Sequence, residues 1–301
     1  MATLHNNVVP SSAGAGVWYG DRGIWAGGYG AVDPGGSRYN DISYITISTT
    51  GNSIDFGDLS SGRSGPAGTS NGTRGVFAGG YNAGRWNYID YITIATTGNS
   101  SDFGDLTVAV SDAGAVSDGT RGVFGGGTKS DGVETNTMGY ITIATTGNAT
   151  DFGDLTLARD NLASCEGAGR GVFIGGAGPS GSDATMDYIT IATTGNAADF
   201  GDLINDASDI AATSNDVRGV TTRTSSALEY ITIATTGNST SFGDLTTARW
   251  LKGAVSNGTR GVFGPGGSMA TLEYITIDTT GNSIDFGDLY PRRSASGCSG
   301  D

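Results

Sequence analysis

Residues 140–155 read Tyr-Ile-Thr-Ile-Ala-Thr-Thr-Gly-Asn-Ala-Thr-Asp-Phe-Gly-Asp-Leu, and this string occurs six times in the 301-residue chain with small changes. Successive copies start 42–49 residues apart. Such a period means that one supersecondary unit is repeated, and this determines the architecture before any other feature. The copies start at Tyr44, Tyr91, Tyr140, Tyr188, Tyr230 and Tyr274.

Two further blocks precede each copy, and together they predict four short strands per unit. An Arg-Gly-Val-Phe block comes first upstream, and a block of small residues such as Ala254-Val255-Ser256 lies before it. Tyr-Ile-Thr-Ile is rich in the β-branched and aromatic residues that favour strands, and Asp-Phe-Gly-Asp-Leu supplies the fourth strand. Thr-Thr-Gly-Asn between these two is a hairpin signal, because Gly and Asn tolerate positive φ. The sequence shows no apolar residues at helical spacing, so we predict no helix.

Four strands per unit and six copies predict an all-β fold, a six-bladed β-propeller with four-stranded antiparallel blades. The block of small residues suits the innermost strands, which crowd around the axis. We expect residues 1–10 to be a flexible N-terminal tail and residues 11–301 to form one propeller. The small block occurs a seventh time, at 295–299, and a further candidate lies at 13–17. Our hypothesis is that a C-terminal strand at about 293–299 completes the first blade and closes the ring; the alternative is donation to a neighbouring subunit, which would give a homo-oligomer.

Composition narrows the classes of function. The formal net charge is −14, and the chain contains two lysines, Lys129 and Lys252. A groove that follows nucleic-acid phosphates needs clustered Lys and Arg, so we expect no nucleic acid as a partner. No apolar run approaches the length of a membrane-spanning helix, which argues against membrane insertion. The start of the sequence lacks the basic and apolar regions of a secretory signal, so we expect assembly in a cytoplasm.

The residues that usually carry catalysis or bind metals are scarce, so we predict no enzyme activity, no catalytic residues, no metal site and no cofactor. The single histidine, His5, falls in the predicted tail, which leaves the repeats without an imidazole base. Cys165 and Cys298 fall in small blocks of non-adjacent units, too far apart for a disulfide, and are interpreted as buried packing residues.

Two repeated polar features allow both a functional and a structural interpretation. Asp-Phe-Gly-Asp could supply oxygen ligands for calcium, or it could form a turn or bulge in which Gly adopts positive φ. The arginine of Arg-Gly-Val-Phe could line a binding surface, or it could bond carbonyls or a carboxylate of its own or the adjacent blade. We favour the structural interpretation of both, because a feature present in every blade is what the fold requires of every blade.

Function is expected where the units differ, which is the connection between the second and third strands. The longest connections belong to units one to four, and we predict a binding surface in the first two of them. Exposed aromatic residues beside arginine are typical of recognition sites for proteins or sugars. The alternative is that these rings pack over the rims of their own blades. The predicted binding residues are Tyr29, Tyr39, Tyr81, Arg85 and Trp86.

The repeat resembles two known groups of proteins. The blade plan is similar to kelch-type propellers: a Gly-Gly pair follows the second strand, an aromatic residue opens the third, and an arginine such as Arg63 or Arg159 follows the fourth. It departs from kelch in having Phe where the fourth strand usually has Trp. Over about residues 20–289, the repeat resembles one found in virion and tail-associated proteins of marine bacteriophages, including cyanophages.

The phage resemblance implies a structural protein of a virus particle and transfers no catalytic residues. We therefore expect a non-enzymatic protein of the virion, associated with the tail, a fibre or the baseplate and serving for docking or host attachment. Its expected partners are other virion proteins and a glycan or receptor of the host surface. The alternatives are a capsid decoration protein and a carbohydrate-binding or, less favoured, glycan-cleaving propeller.

Overall fold

The computed structural model describes residues 20–30, 37–266, 269–290 and 294–300, and these form six antiparallel sheets arranged as a six-bladed β-propeller. All helix-or-strand structure in these ranges is strand. The predicted fold class is therefore confirmed. Each blade is a meander of four strands, which we name inner, second, third and outer according to their distance from the axis.

The strand bounds follow the repeats closely. In the order inner, second, third and outer, they are Ser294–Gly300, Arg22–Gly30, Asp41–Thr46 and Ile54–Asp58 in blade 1; Ala67–Ser70, Arg74–Ala78, Tyr88–Thr93 and Ser101–Asp105 in blade 2; Gly114–Ser117, Arg121–Gly125, Thr137–Thr142 and Thr150–Asp154 in blade 3; Ala163–Gly167, Arg170–Ile174, Gly181–Thr190 and Ala198–Ala207 in blade 4; Ala212–Ser214, Arg218–Thr222, Ala227–Thr232 and Thr240–Asp244 in blade 5; and Ala254–Ser256, Arg260–Phe263, Thr271–Thr276 and Ile284–Asp288 in blade 6. Four two-residue strands lie outside this plan: Ser37–Arg38, Val110–Ser111, Thr128–Lys129 and Ala177–Gly178.

The antiparallel order gives the disc two different faces. The loops between second and third strands and the links from one blade to the next emerge on one face, which we call the connection face. The loops between inner and second strands and between third and outer strands emerge on the other, the hairpin face. This follows because strand direction alternates within each sheet.

The last strand of the chain belongs to blade 1. Ser294–Gly300 pairs antiparallel with the second strand of that blade, with Cys298 opposite Ile24 and Ser299 opposite Gly23. Blade 1 therefore combines the C-terminal strand with three strands from the beginning of the chain, and the ring closes within one chain. The other candidate for this position, residues 13–17, and the predicted tail at 1–10 lie outside the described residues.

The Thr-Thr-Gly-Asn segments join neighbouring blades. They lie in the hairpin connections between third and outer strands, as the sequence predicted, and each connection has seven residues, as in 47–53. The Gly98 N–H donates to the Phe56 carbonyl of the preceding blade at 2.7 Å, and the Asp58 N–H donates to Asn99 Oδ1 at 3.0 Å. Blade 6 makes the same contacts with blade 1 through Asn52. The repeated Gly-Asn thus serves the seam between blades as well as the turn.

The arginine of each Arg-Gly-Val-Phe block also connects two neighbouring blades. Arg74 lies 4.2 Å from the ring centroid of Tyr91 in its own blade, and its Nη1 donates to the Ile143 carbonyl of the next blade at 2.9 Å. The same tyrosine meets Phe103 edge-on, at 6.0 Å between ring centroids. All six blades repeat this arrangement, so the structural interpretation of the repeated arginine is confirmed. The six donor arginines are Arg22, Arg74, Arg121, Arg170, Arg218 and Arg260.

The Asp-Phe-Gly-Asp segment forms a β-bulge in the outer strand. In blade 1 the register shifts between Ile42, opposite Gly57, and Ser43, opposite Asp55, so that Phe56 is the extra residue. Gly57 has φ 146°, and a Cβ there would lie 2.4 Å from the Gly98 carbonyl oxygen of the next blade. The bulge therefore brings two backbones into contact where only glycine fits. Within the described residues, no group of three or more His, Cys, Asp or Glu side chains could hold a metal ion.

Buried ion pairs hold three of the blade-to-blade links. Arg159, which follows the outer strand of blade 3, lies 2.9 Å from Asp187 of blade 4, and both side chains are almost completely buried. Blades 2 and 6 have equivalent pairs, Arg63–Asp90 and Arg249–Glu273, at 2.7 and 2.6 Å. These are the arginines that the kelch resemblance singled out. In blade 3 the corresponding residues are Val110 and Gly139, and they line a cavity of about 20 Å³ instead.

Cys165 and Cys298 are both free and buried, as the sequence predicts. Each lies in an inner strand, opposite the third residue of the second strand of its blade, and faces a glycine of the next blade. A Cβ on Gly219 would lie 2.5 Å from Cys165 Sγ, and one on Gly75 would lie 3.0 Å from Cys298 Sγ. The two thiols are thus inter-blade packing groups.

We expect both thiols to be unreactive in the native protein, because burial raises their pKa values well above the usual range and the thiolate is the reactive species. Titration with an aromatic disulfide reagent at pH 8 should detect no fast thiol in the native state and two thiols in denaturant. One rapidly reacting native thiol would contradict the packing of its blade.

Candidate functional site

The five predicted binding residues all lie on the connection face of blades 1 and 2. Tyr29 is the penultimate residue of the second strand of blade 1, is 41% exposed, and pairs with Arg38. The Tyr39 N–H donates to the Gly28 carbonyl at 3.0 Å, which fixes the segment that carries Arg38. Arg38 of this segment contacts Tyr81 of blade 2, so the two adjacent blades contribute to one surface.

Tyr81 lies at the centre of this surface. The guanidinium carbons of Arg38, from blade 1, and Arg85 are 4.5 and 5.3 Å from its ring centroid. Backbone bonds in both directions between Tyr81 and Ser64, at 2.8 and 3.0 Å, hold the loop against the preceding link. The Tyr81 side chain is partly buried. It therefore packs partly over the rim of its blade and is partly exposed to a partner.

Trp86 extends the surface outward along blade 2. Its ring centroid is 5.2 Å from that of Tyr88, and Tyr88 is 50% exposed. We call the whole set the aromatic patch. Its members are Tyr29, Arg38, Tyr81, Arg85, Trp86 and Tyr88. Sequence reasoning missed Arg38 and Tyr88, although both lie within or beside the connections that it selected.

The patch contains two arginines, and within the described residues neither Arg38 nor Arg85 forms an ion pair. The Nε of Arg85 is buried without a hydrogen-bond partner. The patch places two guanidinium groups against one tyrosine ring on a chain with net charge −14, and these groups suit a partner that presents acidic groups.

A second candidate site is the channel along the propeller axis. The inner strands of all six blades line it, and its volume is about 120 Å³. The lining includes, from each inner strand, the residue that pairs with the glycine after the first residue of the second strand. One layer of this lining consists of Ser70, Ser117, Glu166, Ser214, Ser256 and Ser299.

Lys252 lies across the channel mouth on the connection face. Its Nζ is 2.7 Å from Asp209 Oδ1 and 3.3 Å from Asp112 Oδ1, and it also donates to Asn161 Oδ1. These partners precede the inner strands of blades 5, 3 and 4, whereas Lys252 precedes that of blade 6. Blades 3 and 6 are opposite each other, so the side chain must cross the axis. The two carboxylates raise the pKa of Lys252 against the opposing effect of burial, which is the larger single effect.

Glu166 is the exception in the serine layer. In the described part of the chain no donor bonds its carboxylate, and burial raises its pKa to about 8. Serine hydroxyls of this layer donate hydrogen bonds to backbone carbonyls of the preceding blade. Ser214 Oγ donates to the Glu166 carbonyl at 2.9 Å, and Ser70 Oγ donates to the Ser299 carbonyl. An ionised carboxylate can only accept hydrogen bonds, so it cannot replace a serine in this role.

We expect Glu166→Ser to stabilise the protein increasingly as the pH rises. A folded pKa of about 8, above the ordinary value, means that the native state binds the proton more tightly than the unfolded state. The free energy of unfolding of the wild type therefore falls as the pH rises from about 4.5 to about 8. At pH 9 we expect the variant to be more stable than the wild type by roughly 2–5 kcal/mol, a range that allows for water in the channel. Urea denaturation of both proteins from pH 5 to 9 measures it, and parallel stability profiles would contradict the expectation.

Comparison with known proteins leaves the family open. The chain matches no protein-family model and no curated protein. None of the described residues belongs to a helix long and apolar enough to cross a membrane. The site must therefore be interpreted from its own geometry and from the resemblance of its repeat.

Proposed function

We propose that this protein is a non-enzymatic structural protein of a bacteriophage particle, and that it docks to its partner through the aromatic patch. Two lines of support come together. The repeat resembles one of virion and tail-associated phage proteins, and the patch presents Tyr81, Trp86 and two arginines without an ion pair among the described residues on one face of the disc. The patch is the observation that carries the proposal.

The other repeated residues support a scaffold role for the rest of the blade. Arg74, Asn99 and Gly57 recur at the same positions in the other blades, and all three make contacts between neighbouring blades. Residues engaged in this way in every blade leave the variable connections as the part free to recognise a partner. The protein would be assembled in the host cytoplasm and reside in the virion, on the tail, a fibre or the baseplate.

A partner with exposed acidic groups fits the patch best. Guanidinium groups form paired hydrogen bonds with carboxylates, and exposed tyrosine and tryptophan supply contact area at low conformational cost. Another virion protein or an acidic receptor of the host surface satisfies this chemistry. Stacking of sugars on Tyr88 and Trp86 would make the protein a carbohydrate-binding propeller, which is the second candidate and is tested by a glycan array.

Variants of the patch test the proposal in particles that carry this protein. Tyr81→Ala combined with Trp86→Ala should reduce incorporation into particles or adsorption to host cells at least about tenfold, which corresponds to the loss of about 1.4 kcal/mol of binding energy. Trp250→Ala is the matched control, because Trp250 is an equally large ring, 61% exposed, on the connection face away from the patch. Normal assembly and adsorption of the double variant would refute the docking role.

A further inference from the structure

The channel layer with Glu166 has sixfold geometry and a single chemical exception. Five blades place a serine hydroxyl at this position, and blade 4 places a carboxylate there. The hydroxyls of Ser70 and Ser214 donate to backbone carbonyls of the preceding blade. Ser214 Oγ also accepts from the Glu166 N–H at 3.4 Å. A hydroxyl oxygen has two lone pairs, so one remains for a donor in the channel.

The channel is obstructed at one mouth, and among the described residues its lining has no positive charge at the level of Glu166. Lys252 crosses the connection-face mouth and is held there by Asp112, Asn161 and Asp209. Glu166 lies at the end of its strand nearer the hairpin face, opposite Gly171 of the hairpin. A ligand for this carboxylate would therefore enter from the hairpin face, on the opposite side of the disc from the aromatic patch.

We propose that this channel is a binding site for a primary ammonium group carried on an aliphatic chain. Glu166 would accept one N–H and neutralise the charge, and serine hydroxyls of the same layer would accept the other two. A charge buried in this way is stabilised only when it is paired and hydrogen-bonded. The volume of about 120 Å³ accommodates a short aliphatic amine or the end of a lysine side chain.

An ammonium group fits this lining better than a divalent metal ion. Calcium takes six to eight oxygen ligands, and its protein sites usually contain several carboxylates. This layer offers one carboxylate, and the other five side chains are neutral hydroxyls. The single negative charge of the Glu166 carboxylate matches the single positive charge of an ammonium group. The three N–H donors of that group match the carboxylate and two serine hydroxyls as acceptors.

Calorimetric titration of the full-length protein tests the site. The probes are n-butylammonium chloride and Nα-acetyl-lysine methylamide at pH 8.5, with tetramethylammonium chloride and calcium chloride as controls. We expect the amines to bind and tetramethylammonium, which has no N–H donor, to bind at least about tenfold more weakly. Binding should weaken more than about tenfold at pH 6.5, where Glu166 is protonated.

Two variants make the result specific to Glu166. Glu166→Gln keeps the size of the side chain and removes its charge, and Glu166→Ser reproduces the residue of the other five blades. Both should lower amine affinity at least about tenfold while melting cooperatively. Binding by both probes would indicate that a lysine of a partner protein can enter, whereas binding by butylammonium alone would indicate a small free amine. Absent amine binding, equal binding by Glu166→Gln, or tighter binding of calcium would overturn the proposal.

Discussion

Truncation after Leu289 should abolish the stable native propeller. Residues 294–300 form the inner strand of blade 1, and their removal leaves one edge of Arg22–Gly30 without its hydrogen-bonded neighbour. It also uncovers Trp25 and Ile24, which are completely buried. The expected loss exceeds about 5 kcal/mol, which is comparable with the whole stability of a typical domain. Thermal unfolding followed by circular dichroism measures the loss.

Addition of the missing strand as a peptide provides the control. A synthetic peptide of residues 290–301 should restore cooperative unfolding of the truncated chain at high peptide concentration. The same peptide with Cys298→Asp should fail, because Cys298 packs against Gly75 of blade 2 and a charge cannot be accommodated there. A truncated protein that melts like the full-length chain would show that the C-terminal strand does not close the ring.

Arg159→Ala should lower the free energy of unfolding by about 3–5 kcal/mol, because it leaves Asp187 buried without its counter-charge. Asp187 is 0% exposed and lies 2.9 Å from the guanidinium. Arg159 also donates to the carbonyls of Thr185 and Phe173 at 3.1 and 3.3 Å, so these acceptors lose a partner as well. Urea denaturation at pH 7 measures the change.

The matched control for this ion pair replaces both partners. Arg159→Met with Asp187→Leu removes the charges together and should recover most of the lost stability, because apolar residues often replace a buried pair without loss. Blade 3 shows that the fold tolerates an apolar residue here, since Val110 and Gly139 occupy the equivalent positions. A single Arg159→Ala variant as stable as the wild type would mean that the pair contributes nothing to the link.

The repeats made the fold predictable because each blade carries the same pattern at the same spacing. Tyr44 and Thr46 alternate with the buried Ile45 and Ile47, as side chains of a strand must, so the repeated string itself contains the orientation of the third strand. Small residues also identified the inner strands. The role of Thr-Thr-Gly-Asn was only partly predictable, because a turn signal does not reveal that Asn99 bonds a neighbouring blade.

The central channel was not predicted, because its residues are distant in sequence. Lys252 and Asp112 are separated by 140 positions and meet only because the ring closes. A signal for Glu166 was present, since aligned inner strands have serine at this position in the other five blades. The choice of variable connections found the main part of the aromatic patch but missed Arg38, whose contact with Tyr81 spans two blades.

Cryo-electron microscopy of phage particles whose genome encodes this chain is the most direct test of the proposed function. The proposal predicts a six-bladed disc on a tail, fibre or baseplate, with density of the partner at the aromatic patch around Tyr81 and Trp86. A disc on the capsid shell would make the protein a decoration protein and contradict the attachment role. Particles that lack the disc altogether would contradict the proposal that this propeller is a component of the virion.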